Sequence, residues 1–157
     1  MVNQMNGTRK DFGILLALAY AAFVDELRQA LADAGFAHLH RSFGYVARAL
    51  ADGPLTLREV ADLLDVTSPG ALKIVADMAE HGYVERLDDP SDARARRVSL
   101  TKKGRAALAA ARAFHARFER ELARSAGRKI ATAARAALEH VVERREQRGD
   151  TVALRPM

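Results

Sequence analysis

Apolar residues along this chain recur at helical spacing over most of its length and alternate over one central stretch. From Asp11 to Ala34, the residues Leu15, Leu16, Leu18, Ala19, Ala22, Phe23, Leu27 and Leu31 give one broad apolar face that stops at Gly35, predicting a long helix. A shorter helix is expected over His40 to Ala51, closed by Gly53-Pro54. Thr56-Leu-Arg-Glu59 then has the form of a capping box, in which the threonine hydroxyl accepts from the Glu59 amide and the Glu59 carboxylate reaches back. Val60, Ala61, Leu63 and Leu64 follow on one face of the helix it starts, and Asp65 and Val66 form a turn.

Thr67 or Ser68 caps the next helix, and Pro69 fits a first-turn position where its missing N–H costs nothing. Ala71, Leu72, Val75 and Met78 read as the buried stripe of this helix, with Ser68, Gly70, Lys73 and Asp77 nearer the outside, and His81-Gly82 ends it. The period then changes. Val84 and Leu87 begin one strand, Val98 and Leu100 alternate inward along another, and Asp89-Pro90-Ser91-Asp92 supplies the turn between them. Helical spacing resumes from Lys102 to Ser125 through Leu108, Ala111, Phe114, Phe118 and Leu122; Gly127 breaks it, and a last helix runs to about Gln147. The fold class is mainly α with a small β-wing.

Two short helices joined by so tight a turn match the unit whose second helix lies in the major groove of DNA, a pattern that many helical cores also contain. The charges beside it narrow the reading. Arg94, Arg96 and Arg97 crowd the hairpin tip and its returning strand, and Lys102, Lys103 and Arg105 open the next helix. Cations in a first turn oppose the helix macrodipole, so phosphate binding explains them better than helix stability does. The competing reading is a solvated charged hairpin balanced by Asp88, Asp89 and Asp92.

Across 157 residues, 25 Lys+Arg stand against 20 Asp+Glu for a formal charge of +5, a balance that favours polyanionic partners. The length suits one domain over 1–157, and 49% hydrophobic residues is ample for a core. Cysteine is absent, which excludes disulfides, zinc-thiolate sites and thiol-based sensing. No nucleophile elbow, Walker loop, dinucleotide glycine fingerprint or His-Glu-x-x-His pair occurs, so neither an enzyme nor a cofactor is expected. The apolar run from Phe12 to Val24 is too short to span a bilayer and leads straight into Asp25-Glu26, which points to a buried helix in a cytoplasmic protein with no membrane partner.

The run Asp92-Ala-Arg94-Ala-Arg96-Arg-Val-Ser-Leu100-Thr101-Lys-Lys-Gly104, with the preceding Leu-Arg-Glu-Val-Ala-Asp-Leu-Leu and Gly82-Tyr-Val-Glu-Arg86, resembles the MarR family of winged-helix transcription regulators. That resemblance covers about Asp11 to Val142. It implies a winged helix-turn-helix lobe over 37–101 and a helical dimerisation region over 8–36 and 102–148. By the same resemblance Arg94 enters the minor groove and Asp92 orients it, while Thr67, Ser68, Gly70 and Lys73 lie on or beside the recognition helix and Arg96 and Arg97 are further DNA-binding residues of the wing. A narrow A·T-rich minor groove attracts arginine, so the implied role is physically sensible. Gly70 and Leu72 depart from the family pattern by occupying positions that more often carry polar contacts, and Lys73 lacks arginine's bidentate fork.

The family further implies a homodimer on a pseudo-palindromic double-stranded operator, with half-sites roughly 10 bp apart. It implies a repressor released by a small aromatic or phenolic ligand held between the helical region and the DNA-binding lobe. Tyr20, His38, His40, Arg41 and Tyr45 are the candidates for that pocket, His38 or His40 acting with Arg41 on a carboxylate and the aromatics clasping a ring. Phe23, Phe36 and Phe43 lie among them, and plain packing or loop exposure is the competing account of each residue alone. A non-specific architectural DNA-binding protein and a winged-helix protein-interaction module stand as the alternative functions.

Overall fold

The computed structural model describes residues 10–89 and 92–148, without the side chains of Asp89 and of residues 92–96. Among these residues the order is α1 (Phe12–Asp33), α2 (Phe43–Leu50), β1 (Leu55–Thr56), α3 (Leu57–Leu64), α4 (Ser68–Glu80), β2 (Val84–Asp89), β3 (Asp92–Leu100), α5 (Lys102–Ser125) and α6 (Arg128–Glu146). The strands form one antiparallel sheet in the order β1-β3-β2. The two-residue β1, for which the sequence offers no signal, pairs Leu55 with Val98 and Thr56 with Arg97.

Local chemistry sets the boundaries of the central helices. The capping box forms at α3: the Thr56 amide donates to Glu59 Oε2 at 2.6 Å and the Glu59 amide donates to Thr56 Oγ1 at 3.2 Å. Asp65, at φ 50°, takes the left-handed conformation that stops α3, and Thr67 caps α4 by accepting from the Gly70 amide at 3.3 Å. α4 ends where Gly82 turns to φ 76°. α2 starts three residues later than expected, because the Ser42 amide donates to His40 Nδ1 at 3.0 Å and His38 lies at φ 58°, leaving 38–42 as a turn.

The core lies where these elements meet. Val46 and Leu50 of α2, Val60 and Leu64 of α3, Ala71, Val75 and Met78 of α4, Tyr83 just before β2, and Val84, Val98 and Leu100 of the sheet are all buried, together with Ala107 and Leu108 of α5. Leu72, expected inward, points outward, and so does Leu87 of β2. Leu87 is three residues from the buried Val84, an odd step that puts it on the opposite face of a strand. Leu72 is 42% exposed, since the buried stripe of α4 runs through 71, 75 and 78 and leaves Leu72 on the side of Ser68 and Ala76.

The long helices are arranged differently. α1 packs on α5 through Phe23, whose ring lies 5.5 Å from Phe114, 5.1 Å from His115 and 5.0 Å, edge-on, from Phe118. α6 packs on α5, where Arg135 pairs with Glu119. Within this chain α6 buries none of its residues and α1 buries only Leu31, so the broad apolar face read from the sequence is left largely open.

Candidate nucleic-acid interface

The outward side of α4 is the part of the lobe shaped to enter a groove. Ser68 opens the helix and is exposed, Thr67 sits at the cap just before it, Lys73 is exposed one turn further on, and Gly70 is half-buried beneath them. Asp77, expected outside, is half-buried near His81.

The wing stands beside α4. β2 and β3 pair from Val84 with Leu100 to Asp88 with Arg96, and the register shifts before Asp89 meets Asp92. Such an irregularity bends the end of a hairpin away from the plane of the sheet. Arg97 lies on the central strand between Thr56 and Leu87, half-buried, with Nη1 donating to the Pro54 carbonyl at 3.4 Å. The backbones of Asp92, Arg94 and Arg96 lie on β3, while their side chains are outside the described residues.

Wing and helix are joined by a compact junction that the sequence did not reveal. Thr101 Oγ1 caps α5 by accepting from the Gly104 amide at 3.0 Å and donates to the Gly82 carbonyl at 2.6 Å. Lys103 Nζ donates to the His81 carbonyl at 2.8 Å and lies 4.5 Å from the centre of the Tyr83 ring. Its charge, read from the sequence as one suited to phosphate, serves this junction. The buried Tyr83 hydroxyl donates to the Ala37 carbonyl at 2.6 Å, and burial pushes that phenol's pKa up. Gly104 closes the junction, since a Cβ there would sit on the Tyr83 carbonyl oxygen.

The residues proposed for a ligand fall into two groups. Tyr20 of α1 and Tyr45 of α2 meet, hydroxyl to hydroxyl at 3.3 Å, and burial together with this hydrogen bond pushes the Tyr45 phenol up to about 12. His38 is drawn toward the end of α4, where its ring stacks on His81 at 5.2 Å. His40 is half-buried in the turn before α2, with burial lowering its pKa, and Arg41 beside it is exposed. Among the described residues, no group of three or more His, Asp or Glu is placed to hold a metal ion, and no helix is long and apolar enough to cross a membrane.

A helix-turn-helix whose second helix is open, flanked by a two-stranded wing and carried on long helices, defines a winged-helix protein. Residues 44–95 match the model of the MarR family. No curated protein matches the chain. Among solved structures, the transcriptional regulator Tm0710 from Thermotoga maritima is similar at 21% identity over 89% of this chain and 97% of that one, with a TM-score of 0.62. The transcriptional repressor CouR, solved bound to a 23-mer DNA duplex, is 26% identical over 83% of this chain and 92% of its own, with a TM-score of 0.66. The MepR–DNA complex of S. aureus is 16% identical over 84% and 96% of the two chains, with a TM-score of 0.64. The likeness to the first and third is one of fold.

Proposed function

We propose that this chain is a cytoplasmic, sequence-specific DNA-binding transcription regulator and not an enzyme, acting as a homodimeric repressor on a pseudo-palindromic operator. The observation that carries the reading is the exposed outward side of α4 held beside a wing whose strand β3 carries Arg94, Arg96 and Arg97. An open helix suits the major groove, whose edges encode sequence, and wing arginines suit the adjacent minor groove. Asp92, two residues before Arg94, supplies the charge that would orient it. The likeness to CouR and to MepR, both solved on DNA, supports DNA as the partner.

The open faces of α1 and α6 support a dimer, because Phe12, Leu15, Ile130 and Leu138 are all at least half exposed in the single chain. A two-fold partner covering both helices would place the two α4 helices on successive major grooves, roughly 10 bp apart. Residues 37–101 then form the DNA-binding lobe, and 8–36 with 102–148 form the dimerisation region. Tyr20 and Tyr45, at the seam between α1 and α2, are the pair best placed to receive a phenolic or aromatic ligand, with His38, His40 and Arg41 on the neighbouring turn. A ligand that prefers one separation of the lobes would shift DNA affinity by that preference alone.

Selection of bound duplexes from genomic fragments, followed by titration of the enriched site against a scrambled one at fixed salt, tests the reading. A palindromic site bound about a thousand-fold tighter than the scramble is the expected result. Equal binding to both would instead show an architectural protein, and no binding to either would show a protein-interaction module.

A further inference from the structure

The outward side of α4 has an unusual inventory of chemical groups for a helix that reads DNA. Its exposed residues are Ser68, Pro69, Leu72, Lys73, Ala76 and Glu80. Arginine, asparagine and glutamine, which recognise guanine and adenine by paired hydrogen bonds, are absent from it. The nearby Thr67 hydroxyl accepts from the Gly70 amide. From the cap and the first two turns, only Thr67, which keeps its O–H donor, Ser68 and Lys73 can hydrogen-bond to a base through a side chain, whereas Pro69, Leu72 and Ala76 carry no polar side-chain atom.

These three apolar residues are not scattered. Spaced by three and four residues, Pro69, Leu72 and Ala76 form one strip along the helix, with Leu72 at its middle. Leu72 is the single large hydrophobic residue exposed on α4, and the long helices, where most of the other exposed apolar residues lie, do not cover it. Glu80 sets the far limit, because a carboxylate is repelled by the phosphate backbone, while Lys73 sits in the half of the helix that precedes it. The strip therefore lies in the segment whose charge admits DNA. In the major groove, one unmodified base presents an apolar group at its edge: thymine, through its 5-methyl.

We propose that Leu72, flanked by Pro69 and Ala76, is a specificity-determining residue that selects thymine by packing on its 5-methyl group. This rests on the DNA-binding reading above and names the base that α4 reads. It predicts operator half-sites with a fixed thymine at the centre of the major-groove contact, chosen by shape and apolar contact in place of a hydrogen-bonded pair.

The test uses the full-length protein and the duplex enriched from genomic fragments. Each thymine of a half-site is replaced in turn by uracil, which keeps the base pair and the O4 acceptor and removes only the methyl. Binding is measured at fixed salt for the wild type and for Leu72→Ala, whose fold is checked by circular dichroism; the side chain being exposed, the fold is retained. One or two uracil positions per half-site should weaken wild-type binding by about fourfold each, and the same replacements should leave Leu72→Ala unaffected. A selectively bound operator at which every uracil replacement is neutral would overturn the assignment, as would an equal uracil penalty in both proteins. Failure to enrich any preferred duplex would instead overturn the regulator reading itself, and the methyl contact with it.

Discussion

Arg48 of α2 holds His115 of α5: its Nη1 donates to the Gly44 carbonyl at 2.7 Å, and its Nη2 lies 3.1 Å from His115 Nε2. A guanidinium has only donors, so this contact is a hydrogen bond when the imidazole is neutral with Nε2 bare. Burial, and then the Arg48 charge, hold His115 below its ordinary 6.5, with Glu119 pulling the other way. A lowered pKa means that the unfolded chain takes up the proton first. The contribution is therefore complete above about 6.5 and is lost as the pH falls below that value. The thermal midpoint measured by calorimetry should drop between neutral pH and about pH 5. His115→Gln should flatten part of that drop, His40 supplying the remainder because burial lowers its pKa too.

Gly104→Ala should be among the most damaging single-methyl changes in the protein. The new Cβ would overlap the Tyr83 carbonyl oxygen and press on Leu100 Cδ2 at 3.0 Å, and backbone cannot move aside as a flexible side chain can. A loss of about 3 kcal/mol is expected from such overpacking, read as a lower urea midpoint. Gly13→Ala, where a Cβ meets nothing within 4 Å, is the matched control.

Arg94→Ala should weaken operator binding while leaving thermal unfolding unchanged. If Arg94 neutralises one phosphate-equivalent charge, the slope of log K against log salt should become shallower by about 0.9. An Arg94→Ala protein that binds at full strength would remove the wing from the proposed interface.

Leu15→Glu places a charge on the open face of α1, where Leu15 is 52% exposed in the single chain. Sedimentation velocity should show the wild type as a dimer and this variant as a monomer with unchanged helix content. Binding to a two-half-site operator should fall with it, because each lobe must then find its half-site alone.

Much of the fold was legible because its signals are local. Thr56 and Glu59, Thr67 with Pro69, and Gly82 each act within a turn of their own position, and they set the ends of α3 and α4 as read. α5 begins and ends where the spacing placed it, and α6 starts directly after Gly127. The misreadings have geometric causes. Hydrophobicity alone puts Leu72 in a stripe that helical phase denies it, and Leu87 stands an odd number of strand residues from Val84. What the sequence could not show are contacts between distant segments. Tyr20 with Tyr45, His38 with His81, and Arg48 with His115 all join residues that no periodicity relates. Lys103 belongs with them, since its role depends on where the carbonyl of His81 comes to rest.

The clamp at the start of α5 turns that helix into a lever. Thr101 and Lys103 fasten one end to the last residues after α4, while Phe114, His115 and Phe118 bear on α1 farther along the rod. With 24 residues, α5 is about 36 Å long, so a tilt of about 5° carries its end through about 3 Å. That is close to the ~3.4 Å between neighbouring base pairs. On the proposed reading, a rearrangement of the long helices that tilts α5 by this much would put α4 about one base pair out of step with its half-site.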